Sequence, residues 1–88
     1  MEEFMEITKK VDRLVRDVIE ENGYRLDEVL YEKEGSMMFL RLIIDKEGFV
    51  DVDDCVAVSK LVNPILDEAD PIEENYILDV CSKEKGCE

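Results

Sequence analysis

Five carboxylates between residues 45 and 54 have the residue type of a metal site but not its spacing. They are Asp45, Glu47, Asp51, Asp53 and Asp54. An EF-hand calcium loop needs acids at fixed alternate positions, a central glycine and a closing glutamate. Here Gly48 comes too early and Phe49-Val50 interrupts the ligands. We therefore predict that these acids cap a helix N-terminus, and we expect no metal ion or other cofactor.

A second acidic run lies between residues 67 and 79, and no basic residue interrupts it. It consists of Asp67, Glu68, Asp70, Glu73, Glu74 and Asp79. Such a run is either a docking face for a basic protein, with fast and salt-sensitive association, or a charged loop that keeps a small domain soluble. The run by itself does not distinguish these two interpretations.

The side chains used for covalent and acid–base catalysis are poorly represented. Histidine is absent, so neither a Ser–His nor a Cys–His nucleophile pair can be built. No pattern indicates two carboxylates held in unlike environments, which acid–base catalysis requires. Cys55 lies near a predicted helix N-terminus, which can lower a thiol pKa, but it also falls on an apolar stripe typical of a core residue. We predict that the protein is not an enzyme.

Composition narrows the class of partner. The 88 residues include 24 acids and 11 bases, a net charge of −13. This charge repels phosphate backbones and anionic membranes, so we expect no direct, unaided nucleic-acid binding, no membrane contact, and a basic protein partner. No apolar stretch approaches a membrane span, and the acidic N-terminus is unlike a secretory signal. We expect a cytoplasmic protein.

The chain has three cysteines, Cys55, Cys81 and Cys87. An odd number without a signal peptide predicts reduced thiols and not a disulfide scaffold. A bridge between Cys81 and Cys87 under oxidising conditions is the less favoured alternative.

Two segments have helical periodicity. Apolar residues from Phe4 to Ile19 recur at steps of three and four, which predicts a helix over residues 3–22 that ends at Gly23. A second pattern begins after Asp51, which can cap it, and stops at Asp70-Pro71. Pro64 predicts a kink or a short break within this second helix. Its apolar positions are Val52, Cys55, Val56, Val58, Leu61, Val62, Ile65 and Leu66.

Three segments have the character of strands. Residues 24–33, with a bulge or irregularity at Asp27-Glu28, and residues 37–44 predict a hairpin whose second strand is covered on much of both faces. Residues 76–81 alternate, with Tyr76, Leu78 and Val80 facing inward. The element order is α-β-β-α-β, which predicts an α+β, two-layer domain with two helices on one face of a three-stranded sheet. Whether the third strand lies beside the first or the second is left open.

Short motifs occur in a specific order along nearly the whole chain. They are Glu21-Asn22-Gly23-Tyr24-Arg25-Leu26, Leu40-Arg41-Leu42, Ile44-Asp45-Lys46-Glu47-Gly48, Val52-Asp53-Asp54-Cys55, Asp70-Pro71-Ile72 and Tyr76-Ile77-Leu78-Asp79-Val80. Together they resemble the N-terminal domain of the bacterial ribosome maturation factor RimP family, and the resemblance covers residues 7–82.

The resemblance implies a cytoplasmic, non-enzymatic role in late assembly of the small (30S) ribosomal subunit. Family members bind the immature particle and help ribosomal proteins and rRNA around the decoding region to mature. The implied partners are therefore the immature small subunit and its basic ribosomal proteins. A generic acidic interaction domain that kept the fold and lost ribosome binding is the alternative.

Family members have an N-terminal α/β domain followed by a small β-barrel. We expect residues 1–82 to form the N-terminal-like domain and residues 83–88 a polar tail, with the barrel absent. The family's Ser-Ser-Pro-Gly continuation is replaced here by Cys81-Ser82-Lys83-Glu84. The residues that we expect to contact the partner are Asp45, Asp51, Asp53, Asp54, Asp70, Glu73 and Glu74.

Overall fold

The structure is a computed structural model that describes residues 2–48, 50–72 and 74–83. The elements are α1 (Glu2–Glu21), β1 (Arg25–Glu34), β2 (Met37–Asp45), α2 (Val52–Ala69) and β3 (Tyr76–Ser82). The predicted α+β class and the order α-β-β-α-β are confirmed. Within the described residues, no helix is both long enough and apolar enough to cross a membrane.

The sheet order is β1-β2-β3, which answers the question that the sequence left open. β1 is antiparallel to β2, whereas β3 is parallel to β2. Parallel neighbours need a long crossover, and α2 supplies it between the end of β2 and the start of β3. The predicted irregularity in β1 is also present, as a register shift between Leu26 and Glu28. Because of this shift, Leu26 and Val29 lie on the same face of the sheet.

The core lies between the two helices and one face of the sheet. Alternate β2 residues are buried, and β3 places Tyr76, Leu78 and Val80 against this core, as predicted. The fully buried residues of the two helices follow helical spacing. The buried residues of these elements are Val11, Val15 and Ile19 from α1, Met38, Leu40, Leu42 and Ile44 from β2, and Val58, Val62 and Leu66 from α2.

The opposite face of the sheet, here called the outer face, lies away from both helices. Phe39, Arg41 and Ile43 of β2 point to it and are half-buried. We expected β2 to be covered on much of both faces. The helices cover its inner face only, and its outward residues are half-buried. The sequence pattern could not show this, because an apolar run does not specify what covers each side of a strand.

The ends of both helices match their sequence patterns. Gly23 follows α1 with φ of +89°, in the left-handed region that glycine adopts easily, and its N–H donates to the Glu20 carbonyl over 3.1 Å. Asp51 is the N-cap of α2, as predicted. At the other end, Asp70 is the C-cap and has φ of +46°.

α2 runs through Pro64 without the break that the sequence allowed. Pro64 is exposed, and the buried residues Val62 and Leu66 lie on either side of it along the helix. Packing of these residues holds the helix together although proline removes one backbone donor. The apolar stripe of α2 is also narrower than predicted, because Val52 and Val56 are exposed. At about 100° per residue, Val56 lies about 120° around the helix from Val62, the middle of the buried stripe.

Cys81 is disulfide-bonded, which corrects the expectation that every cysteine is a reduced thiol. That expectation rested on the redox compartment and not on geometry. Cys87, the partner in the alternative bridge, lies outside the described residues. Cys55 remains a thiol and packs, half-buried, against the core.

Replacing Pro64 tests the account of α2. We expect Pro64→Ala to raise the free energy of unfolding by about 2 kcal/mol, because it restores a donor inside the helix and loses only the smaller effect of proline on the unfolded chain. Urea unfolding measures this change, and Lys60→Ala is an exposed control in the preceding turn that should change stability little. Unchanged or lowered stability of Pro64→Ala would contradict the account.

Candidate protein-binding site

The first group of predicted site residues lies near the start of α2, and two of its members, Asp51 and Asp54, form a capping box. The Asp54 N–H donates to the Asp51 side chain over 3.0 Å. In return, the Asp51 N–H donates to the Asp54 carboxylate over 3.0 Å. Each carboxylate therefore satisfies a backbone donor that the first turn of a helix leaves unpaired.

Asp54 also connects α2 to two other segments. The Tyr24 hydroxyl donates to Asp54 Oδ1 over 2.7 Å, and Lys46 Nζ lies 2.8 Å from Asp54 Oδ2. The contact with Lys46, followed by those with Tyr24 and the Asp51 N–H, holds the pKa of Asp54 well below its usual range. The hydrogen bond between Tyr24 and Asp54, together with burial, raises the pKa of Tyr24 to about 12. Only 15% of the Asp54 side chain is exposed, so this carboxylate stabilises the domain and is a poor contact for a partner.

Asp45 is also neutralised within the domain. Its carboxylate accepts a hydrogen bond from Arg25 over 2.8 Å, and this contact is the main reason that the pKa of Asp45 is lowered. Asp53 is exposed and has no ion pair with any described residue. Of the four acids predicted at this end of α2, Asp53 alone is therefore fully available to a partner.

The second group of predicted residues lies at the other end of α2. Asp70 ends the helix, its N–H donating to the Leu66 carbonyl over 2.8 Å, and Glu74 is exposed just beyond it. Glu73 lies outside the described residues. Because α2 has 18 residues, about 27 Å of helix separates the two ends. The predicted residues therefore form two separate groups and not one site.

At this second end, three carboxylates line a groove of about 330 Å³ between α2 and the start of β3. We call Asp67, Asp70 and Glu74 the acidic groove. Within the described part of the chain, none of the three has an ion pair, and the last turn of α2 contains no basic residue. The negative end of the helix dipole adds to their potential.

Two tyrosines, Tyr76 in the groove and Tyr31 on β1, respond to the charge of the acidic groove. Burial raises the pKa of Tyr76, and the negative charges of Asp67 and Asp70 raise it further. Burial likewise raises the pKa of Tyr31, with Glu74 as the next cause. Both shifts are in the direction that nearby negative charge imposes on a tyrosine hydroxyl.

The sequence could not reveal which acids are neutralised within the domain. The partners Tyr24 and Asp54 are 30 residues apart, and Arg25 and Asp45 are 20 apart, so no local spacing links them. Asp79, part of the second acidic run, points to the outer face of β3 and away from the groove. Among the described residues, no group of three or more Asp, Glu or Cys side chains is arranged to hold a metal ion.

These features define a small α+β domain with three accessible carboxylates, unpaired among the described residues, at the end of its second helix. A family model described as the RimP N-terminal domain matches residues 14–83. The chain therefore belongs to the RimP N-terminal domain family, and the resemblance found in the sequence is confirmed. Membership identifies it as a ribosome maturation factor-like domain.

Replacement of Asp54 should have a pH-dependent effect. A carboxylate with a lowered folded-state pKa stabilises the domain above its unfolded pKa of about 3.9, and this stabilisation is lost as the pH falls below that value. We expect Asp54→Asn to lower the free energy of unfolding at neutral pH, and we expect the difference from wild type to shrink below about pH 4. Urea unfolding across this pH range measures it.

Asp53→Asn is the matched control for this experiment, because Asp53 is adjacent, exposed and has no ion pair with a described residue. It should change stability much less than Asp54→Asn at neutral pH. A loss on Asp54→Asn that stays constant with pH would contradict an electrostatic role for Asp54.

Proposed function

We propose that the domain acts in late assembly of the small (30S) ribosomal subunit in the cytoplasm, where it binds the immature particle through that particle's basic proteins. Family membership supports the general role in ribosome maturation. The observation that carries the finer proposal is the acidic groove, whose carboxylates have no ion pairs within the described residues. The proposed role is binding and not catalysis.

A basic protein surface is the partner that this charge pattern fits best. Uncompensated carboxylates increase the rate of encounter with a cationic partner and exclude acidic ones. A net charge of −13 repels the phosphate backbone, so rRNA would be approached only through bound basic proteins. In the proposed mechanism, the domain docks electrostatically and holds a basic ribosomal protein in the arrangement needed for its assembly.

Charge reversal in the groove tests this proposal. We expect the double variant Asp67→Lys/Glu74→Lys to weaken co-sedimentation with immature small subunits by about tenfold at low salt, because it removes attraction and adds repulsion. The matched control is Asp17→Lys/Glu21→Lys, which makes the same change of charge at exposed positions on α1. Both variants are compared in titrations at low and moderate salt.

Equal weakening by the groove variant and the α1 control would show that only net charge matters. Asp53→Lys examines the other predicted group separately, without disturbing Asp54. A larger loss with Asp53→Lys than with the groove variant would move the contact to the start of α2. Failure of the folded wild-type chain to sediment with the particles at low salt would contradict the proposed function itself.

A further inference from the structure

The outer face of the sheet is more apolar than a face exposed to water requires. Its apolar positions are Leu30 on β1, Met37, Phe39 and Ile43 on β2, and Ile77 and the buried Cys81 on β3. Sheets with one face in water normally alternate apolar inward residues with polar outward ones. In the interior of β2, Arg41 is the one polar outward residue. Neither helix covers this face, because the buried helical residues pack with the inward positions.

The apolar side chains are most accessible at the end of the sheet where β3 begins. Met37 and Ile77 are each 42% exposed, and Phe39 is the register partner of Ile77. We call Met37, Phe39 and Ile77 the apolar patch. β3 is an edge strand, so among the described elements nothing pairs with its other side.

Carboxylates in excess surround this patch. The Arg41 guanidinium lies 4.9 Å from the centre of the Phe39 ring and hydrogen-bonds to Glu32 over 3.1 Å and to Glu34. Asp79 Oδ2 lies 3.6 Å from Arg41 Nε. Three carboxylates thus share one cation, which leaves two net negative charges at the rim of the patch.

The patch is continuous with the acidic groove around the start of β3. Glu74 and Tyr76 line the groove, and Ile77 is the next residue along the strand. Successive strand residues point to opposite faces, so Tyr76 faces the core side while Ile77 faces the outer side. A partner that wraps around this strand end would meet carboxylates on both sides and apolar side chains between them.

We propose that the apolar patch, with its acidic rim, binds a basic protein segment that also carries apolar side chains. The apolar side chains of the bound segment cover Phe39 and Ile77. Its Lys or Arg side chains contact Glu32, Glu34 and the acidic groove. An interface of this kind has an apolar centre and a polar rim. The proposal rests on the proposed function and names the surface that performs it.

Charge complementarity favours a basic occupant over a second copy of this chain. Pairing two outer faces would bring two negative rims together in molecules that each have a net charge of −13. A nucleic-acid strand is disfavoured for the same reason. A purely solvated acidic face would carry polar side chains at the positions of Phe39 and Ile77. An apolar centre with a polar rim is instead typical of a protein-binding surface.

The test measures binding of the chain to each purified basic protein of the small ribosomal subunit by fluorescence anisotropy. We expect Ile77→Lys to weaken the tightest interaction by about tenfold or more. Val56→Lys is the matched control, because Val56 is an apolar residue of similar exposure, 46%, on α2 and away from the patch. Met37→Lys is a second variant within the patch and should also weaken binding. Circular dichroism and urea unfolding establish that each variant folds.

The outcomes separate this inference from the proposed function. If wild type binds and Ile77→Lys binds as tightly as Val56→Lys, the apolar patch is not the docking surface, while the proposed function stands. If folded wild type binds none of the proteins, the proposed function fails as well. Sedimentation of wild type as a dimer that Ile77→Lys dissociates would overturn the proposal in favour of a second copy.

Discussion

The carboxylate of Asp54 is the contact on which the arrangement of the α2 start depends. It is part of the capping box of α2 and accepts a hydrogen bond from the hydroxyl of Tyr24, in the segment after α1. It also forms an ion pair with Lys46, in the segment after β2. The segment after α1, the segment after β2 and the start of α2 therefore meet at one side chain. Because Asp54 has this structural role, its charge is compensated within the domain, whereas the three carboxylates at the other end of the helix have no ion pair among the described residues.

The two ends of α2 thus have different roles. At its start, Asp53 and Asp54 complement the positive end of the helix dipole, and Asp54 is paired with Lys46. At its end, Asp67, Asp70 and Glu74 lie beside the negative end of the dipole without ion pairs among the described residues. Negative charges beside the negative end of the dipole, and beside one another, destabilise a helix. A basic partner would therefore relieve this repulsion.

The sequence was a good guide to local structure and a poor guide to contacts between distant segments. Periodicity predicted both helices, the bulge near Asp27 and the Asp51 cap, because each depends on neighbouring residues. Other features depend on tertiary packing, which the spacing of residues along the sequence does not encode. They are the placement of β3 beside β2, the continuity of α2 through Pro64 and the neutralisation of Asp45 and Asp54. A disulfide at Cys81 was the less favoured alternative, because the odd cysteine count and the redox compartment indicated reduced thiols.

The central claim is that the domain meets a basic partner at the start of β3 and not at the start of α2. The most direct measurement is a titration of ¹⁵N-labelled chain with a basic small-subunit protein that binds it, followed by amide chemical shifts. The account predicts shifts and broadening at Asp67, Asp70 and residues 74–79, with little change at residues 51–54. Changes confined to residues 51–54 would contradict it.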